Sequence, residues 1–224
     1  KNNQRIPLDS FGKSWGWKRS GALDDWKQLM IRQAKGEVIQ VRQFSGIDLW
    51  QSMDASSNCL FDLKPEEPNK KIDLNIGSKV NDGCSWHPPN LWIGIGCERN
   101  TTQNLLSRAI DDSFKAAGLA KESIAGIATI DIKSNENGLI ELIEAHQWFI
   151  NFYSTEDLAK IKVPNPSAKV LQEIGASSVA EASALKAAGV NSELIFEKHI
   201  YHSTDGELGA VTIAIAESDH SFAP

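Results

Sequence analysis

The sequence predicts an α/β protein: a mostly parallel sheet with helices on both faces and a terminal antiparallel hairpin, preceded by a smaller irregular α+β region. Three observations predict this. Beyond His87-Pro88-Pro89-Asn90, short apolar runs alternate with stretches of helical period. The last two apolar runs flank Asp205-Gly206, a hairpin turn signal. Before the proline pair, Trp15, Trp17, Trp26, Trp50 and Trp86 lie scattered among polar residues with little period. Two regions follow, 1–87 and 88–224.

In the first region, residues 24–34 suit a helix. Asp24 or Asp25 stands near the N-cap, Trp26, Leu29, Met30 and Gln33 share a face, and Gly36 ends it. Residues 37–44 alternate like a strand. Residues 51–86 show little periodicity and predict a long loop with one strand at 72–76. Aliphatic residues are few, so this region is expected to lean on another domain, with its tryptophans exposed.

In the second region, residues 91–97 (LWIGIGC) fit a buried strand. Leu105, Leu106, Ala109, Ile110, Phe114 and Ala117 then line one face of a helix that Gly118 ends. Residues 124–132 form a second buried strand, 139–146 a short helix and 148–152 a third strand. Ser154 with Asp157 opens a helical turn, and residues 163–166 (VPNP) are extended or turned. Ser178 with Glu181 caps an Ala-rich helix that stops at Gly189. Strands at 194–201 and 210–216 close the chain.

The net charge of −6 argues against nucleic acid or an anionic membrane as the main partner. Cys59, Cys84 and Cys97 have no paired spacing and read as reduced thiols, and no apolar signal segment is visible, so a cytoplasmic location is expected. No apolar run reaches the roughly 20 residues that cross a bilayer. The first residue is Lys1 rather than Met, so a piece of something longer is expected.

Ligands of open α/β sheets bind where strands end and helices begin. Three segments fit. In the first, Gly94 and Gly96 give a ligand close access to the backbone, or simply make a tight turn. Cys97 follows, Arg99 offers a bidentate carboxylate contact, and Thr101 and Thr102 precede a helix start that favours anions. Asn100 or Thr101 is the expected N-cap. In the second, Asp131, Lys133 and Glu136 cluster. Lys133 suits an oxyanion and Glu136 a general base, unless the loop is merely solvated with Ser134 or Asn135 as a cap. In the third, Gly175, Ser178 and Glu181 flank another helix start. There Glu181 is an alternative base or only the acidic half of a capping box.

Other constellations are weak. No GxSxG is present, and no convincing Ser–His–Asp set. His199 and His202 fall on opposite strand faces. His87, His146 and His220 read as surface or satisfied structural residues. Cys97 reads as a small buried residue rather than a nucleophile.

Taken in order, Gly94-Ile95-Gly96-Cys97 with Arg99 and Thr101-Thr102, Ile127–Lys133 with Glu136 and Gly138, Val163-Pro164-Asn165-Pro166-Ser167, and Gly175 with Ser178–Ala182 resemble the C-terminal domain of the CbiG/CobE family of cobalamin biosynthesis, from about residue 91 to 216. Residues 12–86 more loosely resemble the central region of longer members. The His/Gly-rich N-terminal signature of those members has no counterpart here. That domain, or a fused precorrin methyltransferase, is therefore the expected protein partner. The resemblance implies hydrolysis of the δ-lactone of cobalt-precorrin-5A, with acetaldehyde release. Cobalt arrives inside this tetrapyrrole substrate, so no cofactor is expected. Residue chemistry then suggests Glu136, or alternatively Glu181, as base, and Lys133 as oxyanion stabiliser. It suggests Arg99 and the turn through Gly94, Gly96, Cys97, Thr101 and Thr102, with Ser178, as substrate contacts.

Overall fold

A computed structural model describes residues 7–48, 59–61, 72–204 and 208–219, for 59–61 the backbone alone. The described residues fall into two compact units: those from 7 to 90 with 120–123, and those from 91 to 119 with 124–219.

The first unit is a mixed five-stranded sheet. Its elements are β1 (Lys18–Ser20), helix α1 (Leu23–Ala34), β2 (Ile39–Gln43), β3 (Cys59–Phe61), β4 (Leu74–Ile76) and β5 (Cys84–His87), and the strand order is β1-β5-β4-β2-β3. Only the β1–β5 pair is antiparallel. The loop expected over 51–86 is thus corrected, since strands β3 and β5 lie within it. The reason is visible in register. Arg42, Asn75, Ser85 and Ser20 pair across four neighbouring strands, so the polar residues that break the apolar pattern line one face.

The other face carries the core: Leu8, Phe11, Trp17, Trp26, Leu29, Ile39, Val41, Leu74, Ile76, Cys84 and Trp86. The expectation that this region lacks its own core is therefore overturned, because rings do the work of aliphatics. Trp17, Trp26 and Trp86 are at most 3% exposed, while Trp50 lies outside the described residues. Each such side chain withdrawn from water stabilises by roughly 1.5–3 kcal/mol. Trp86 Nε1 donates to the Leu8 carbonyl at 2.8 Å, and Trp26 Nε1 to the Ser20 carbonyl at 2.9 Å, so these two indole N–H groups are satisfied, whereas that of Trp17 is buried without a partner among the described residues. Helix α1 is capped by Ala22, with Asp24 and Asp25 inside its first turn, where acids favour the dipole. It ends as expected: Gly36 (φ +77) donates to Gln33 and Glu37 donates to Arg32. His87 is a satisfied buried histidine, as expected, and His146 stacks on Trp148 at 4.2 Å.

The second unit contains β6 (Leu91–Cys97), α2 (Gln103–Ala117), β7 (Ile124–Ile130), α3 (Asn137–His146), β8 (Phe149–Tyr153), α4 (Thr155–Ala159), α5 (Ala168–Ile174), α6 (Val179–Ala188), β9 (Glu193–His202) and β10 (Ala210–Glu217). The strand order is β8-β7-β6-β10-β9, parallel through β8-β7-β6 and antiparallel through β10 and β9. This is the expected α/β sheet with its terminal hairpin; the Asp205-Gly206 turn lies outside the described residues. Odd residues of β6 (Leu91, Ile93, Ile95) join the core under α2 and α3. On the other face, Trp92 packs with Ala184 and Ala188 of α6.

Three boundaries and one helix differ from expectation. Strand β7 ends at Ile130, and Asp131–Lys133 form a 3₁₀ turn that leaves Ile132 46% exposed. Thr102, not Asn100 or Thr101, caps α2, its Oγ accepting from Leu105 N–H at 3.2 Å. Glu136, not Ser134 or Asn135, is the N-cap of α3. Helix α5 was not expected; Ser167 caps it and it buries no residue fully, so its apolar period is weak. Among the described residues, no helix is long and apolar enough to cross a membrane.

Candidate functional site

The loops after β6 and β7 leave the parallel strands at neighbouring ends. What draws them together is Gly138. A Cβ there would strike the Thr101 carbonyl oxygen and lie 2.9 Å from Gln103 N. The starts of α2 and α3 therefore abut, and both helix N-termini open on one cavity of about 320 Å³. Two converging helix starts make its floor electropositive.

Glu136 occupies the centre, 4% exposed. Its Oε1 accepts from Asn100 N–H at 2.6 Å. Its Oε2 lies 3.5 Å from Arg99 Nη1 and 3.9 Å from Lys133 Nζ. Arg99 is half-exposed yet held in place: Nη1 donates to Asn135 Oδ1 and Nη2 to the Ile132 carbonyl, both at 2.8 Å. Lys133 is nearly buried. Asn100 takes φ +61, a conformation asparagine tolerates, and this aims its N–H at the carboxylate. Chemically, the arrangement is a buried carboxylate with one oxygen anchored and the other set between two cations. It can orient a water, and its cations can receive a ligand carboxylate or a developing oxyanion.

Cys97 lies beside this cluster. Burial pushes its thiol up to about 11, with Lys133 and Arg99 pulling down and Glu136 pushing up. It is therefore a protonated thiol at neutral pH rather than a nucleophile.

The fold brings together Arg99, Thr101, Thr102, Lys133 and Glu136, but not the whole expected set. Thr101 is buried, and its hydroxyl donates to the Glu98 carbonyl at 2.9 Å. Thr102 lines the cavity while capping α2. Gly94 serves packing: a Cβ would run into the Ala180 carbonyl oxygen and lie 2.8 Å from Ala184 N. Gly96 has more room, its first neighbour being Thr212 Cβ at 3.7 Å. Ser178 and Glu181 sit with α6 on the opposite sheet face. Ser178 Oγ accepts from Glu181 N–H at 3.4 Å. Glu181 is fully buried, and its Oε1 accepts from Asn165 Nδ2 at 2.9 Å and from Lys198 N–H of β9 at 3.3 Å. The backbone donor that Glu181 satisfies is thus on a distant strand.

Asn100 and Asn135 were expected at most as caps; they hold Glu136 and Arg99 instead. The signal available in sequence was weak: an asparagine at a strand–helix turn, where a positive φ is tolerated.

Comparison with known proteins bears on this domain. Residues 91–216 match the family described as Cobalamin synthesis G C-terminus, more than half of the 224-residue chain. Cobalt-precorrin-5A hydrolase of Priestia megaterium is 26% identical over 94% of this chain and 58% of its own length. Protein CobE of Sinorhizobium sp is 28% identical over 55% of this chain and 82% of its own. A solved structure of CobE, a protein from the cobalamin (vitamin B12) biosynthetic pathway, covers 57% of this chain and 89% of its own at 30% identity, with a TM-score of 0.50. The chain thus spans less than two thirds of the hydrolase it resembles. With its strand–helix order and the matched residues 91–216 in agreement, the chain belongs to the CbiG C-terminal family of cobalamin biosynthesis.

Proposed function

We propose that this chain hydrolyses the δ-lactone of cobalt-precorrin-5A, releasing acetaldehyde and leaving cobalt-precorrin-5B. The observation that carries this reading is the Arg99–Glu136–Lys133 cluster at two converging helix starts, inside the domain the family shares. Glu136 takes a proton from water through Oε2, and the water oxygen attacks the lactone carbonyl. Lys133 and the helix N–H groups meet the oxyanion, its collapse breaks the lactone C–O bond, the departing oxygen takes the proton held by Glu136, and Arg99 binds a peripheral carboxylate of the tetrapyrrole. A cavity of about 320 Å³ is at the small end for ligand sites, so it takes one edge of the macrocycle. Cobalt belongs to the substrate. On this reading residues 1–87 form the family's central region and 88–224 its C-terminal domain. The N-terminal domain of longer members, or a fused methyltransferase, is the protein partner.

A second reading has its own support. Protein CobE aligns over 82% of its length with little more than half of this chain. On this second reading the domain is a binding or carrier module for a corrin intermediate, with the base supplied from elsewhere.

Anaerobic incubation of the chain with cobalt-precorrin-5A distinguishes the two, following bound corrinoid absorbance and acetaldehyde together. Catalytic acetaldehyde that disappears in Glu136→Gln or Lys133→Ala supports hydrolysis at this site. Binding without acetaldehyde supports the carrier. Absence of both sinks both.

A further inference from the structure

Ser20 and His87 are 67 residues apart in sequence and meet in the first unit. Ser20 Oγ lies 2.7 Å from His87 Nε2, and His87 Nδ1 lies 2.8 Å from the Gly77 carbonyl oxygen. A carbonyl can only accept, so Nδ1 carries the hydrogen. Nε2 is then the acceptor, and the Ser20 hydroxyl donates to it. This is the arrangement in which an imidazole removes a serine proton, with a backbone carbonyl orienting the ring in place of a carboxylate. Burial lowers the pKa of His87, against the opposing pull of the Gly77 carbonyl and Glu122, so the ring is neutral at pH 7 and its Nε2 lone pair is free to accept.

Local geometry favours the serine as the reacting group. Ser20 ends β1, the edge strand of its sheet, and is half-buried, whereas His87 is 1% exposed. Ser20 is therefore the more exposed residue of the pair. Gly21 follows with φ +106, and a Cβ there would strike the Gly83 carbonyl oxygen. That glycine turns the chain directly into α1, whose N-cap Ala22 supplies no side-chain cap. The first-turn N–H groups of α1 are the donors nearest in the chain to an oxyanion formed at Ser20. Lys18 shares the face of Ser20 and pairs in register with His87.

We propose that Ser20 is a nucleophile activated by His87, directed at the acyl carbon of a small ester or lactone that reaches the edge of the first sheet. Ser20 Oγ bonds to the carbonyl carbon as its proton passes to His87 Nε2. The C–O bond to the leaving alcohol breaks, and that oxygen takes the proton from Nε2. Water, deprotonated by the same nitrogen, then cleaves the acyl-serine to a carboxylic acid and restores the hydroxyl. This site does not depend on the reading of the second unit: a generic acylating probe reports on it whether or not the chain acts on cobalt-precorrin-5A.

The test treats the full chain with a fluorophosphonate and maps the added mass by peptide sequencing. One phosphonyl group on Ser20 is expected, gained at least about 100-fold faster than on any other serine, as general-base assistance implies. His87→Gln, with its fold checked by circular dichroism, is expected to lose about that factor. A folded wild-type chain that takes no label, or takes it on another serine, overturns the proposal. So does a folded His87→Gln chain labelled as fast as wild type. Since the wild-type result stands without any variant, a misfolded substitution leaves the test intact.

Discussion

The first unit fills its core with rings. Phe11 meets Trp15, Trp17 and Trp86 edge-on at centroid distances of 5.8, 5.9 and 5.6 Å, and Trp26 meets Trp86 at 5.8 Å. The second unit fills its main core with Ile, Leu, Val and Ala, and among the described residues of that core Phe114 is the fully buried ring. The two designs concentrate stability differently. A few large aromatic pieces in a small sheet make each one hard to lose. An aliphatic core under two long helices spreads the same work over many side chains, and it depends more on how closely backbones approach.

The sharpest test of that contrast is Trp86→Ala. Truncating this ring, 1% exposed and backed by Gly12 at 2.7 Å from a would-be Cβ, is expected to cost about 3–5 kcal/mol. Hydrogen exchange is expected to lose protection in residues 72–87 while β6 and β7 keep theirs. Equal loss in both units would break the comparison.

Backbone approach is tested by Gly94→Ala, expected to destabilise the second unit by about 1–3 kcal/mol through overpacking against α6. Gly96→Ala, with its first neighbour at 3.7 Å, is expected to leave the urea midpoint nearly unchanged. Similar shifts for both glycines would remove the packing explanation for Gly94. A smaller effect is expected from Thr102→Ala, which leaves Leu105 N–H without its cap at a cost of about 1 kcal/mol. A thermal melt shows whether the loss is confined to that size.

The smallest effect is a pH dependence in the first unit. Burial holds the folded pKa of His87 below its ordinary 6.5. The unfolded chain therefore binds more protons, and the stability from this residue is present above 6.5 and lost as pH falls through the folded value. Urea midpoints between pH 5 and 7.5 are expected to decline on the acid side for wild type and to flatten in His87→Gln. A rise on the acid side would reverse the sign and refute the neutral-ring assignment.

The contrast also explains what was legible in sequence. In the second unit, a seven-residue apolar run such as residues 91–97 and a helical stripe such as Leu105, Leu106, Ala109 and Ile110 declare their burial by period alone. Three- and four-residue strands such as β4 and β5 have too little length for a period, and Asn75, Ser85 and His87 interrupt them with polar side chains. Their pairing becomes visible only across the sheet. The same holds for the candidate site. Arg99, Lys133 and Glu136 stood out by type and by their place at strand ends, but nothing local foretold that Asn100 and Asn135 would hold them.

From sequence alone came the α/β order, the family resemblance, the helix starts at Ser154 and Ser178, and the charged residues worth suspecting. These depend on neighbours within a few residues, where periodicity and capping chemistry act. Tertiary structure alone decided that Gly138 lets two helix starts share one cavity. It alone placed Glu181 on the opposite sheet face and Ser20 on His87. Such contacts join residues tens of positions apart, and their geometry follows from strand order and from how closely backbones can approach, quantities that no local window contains.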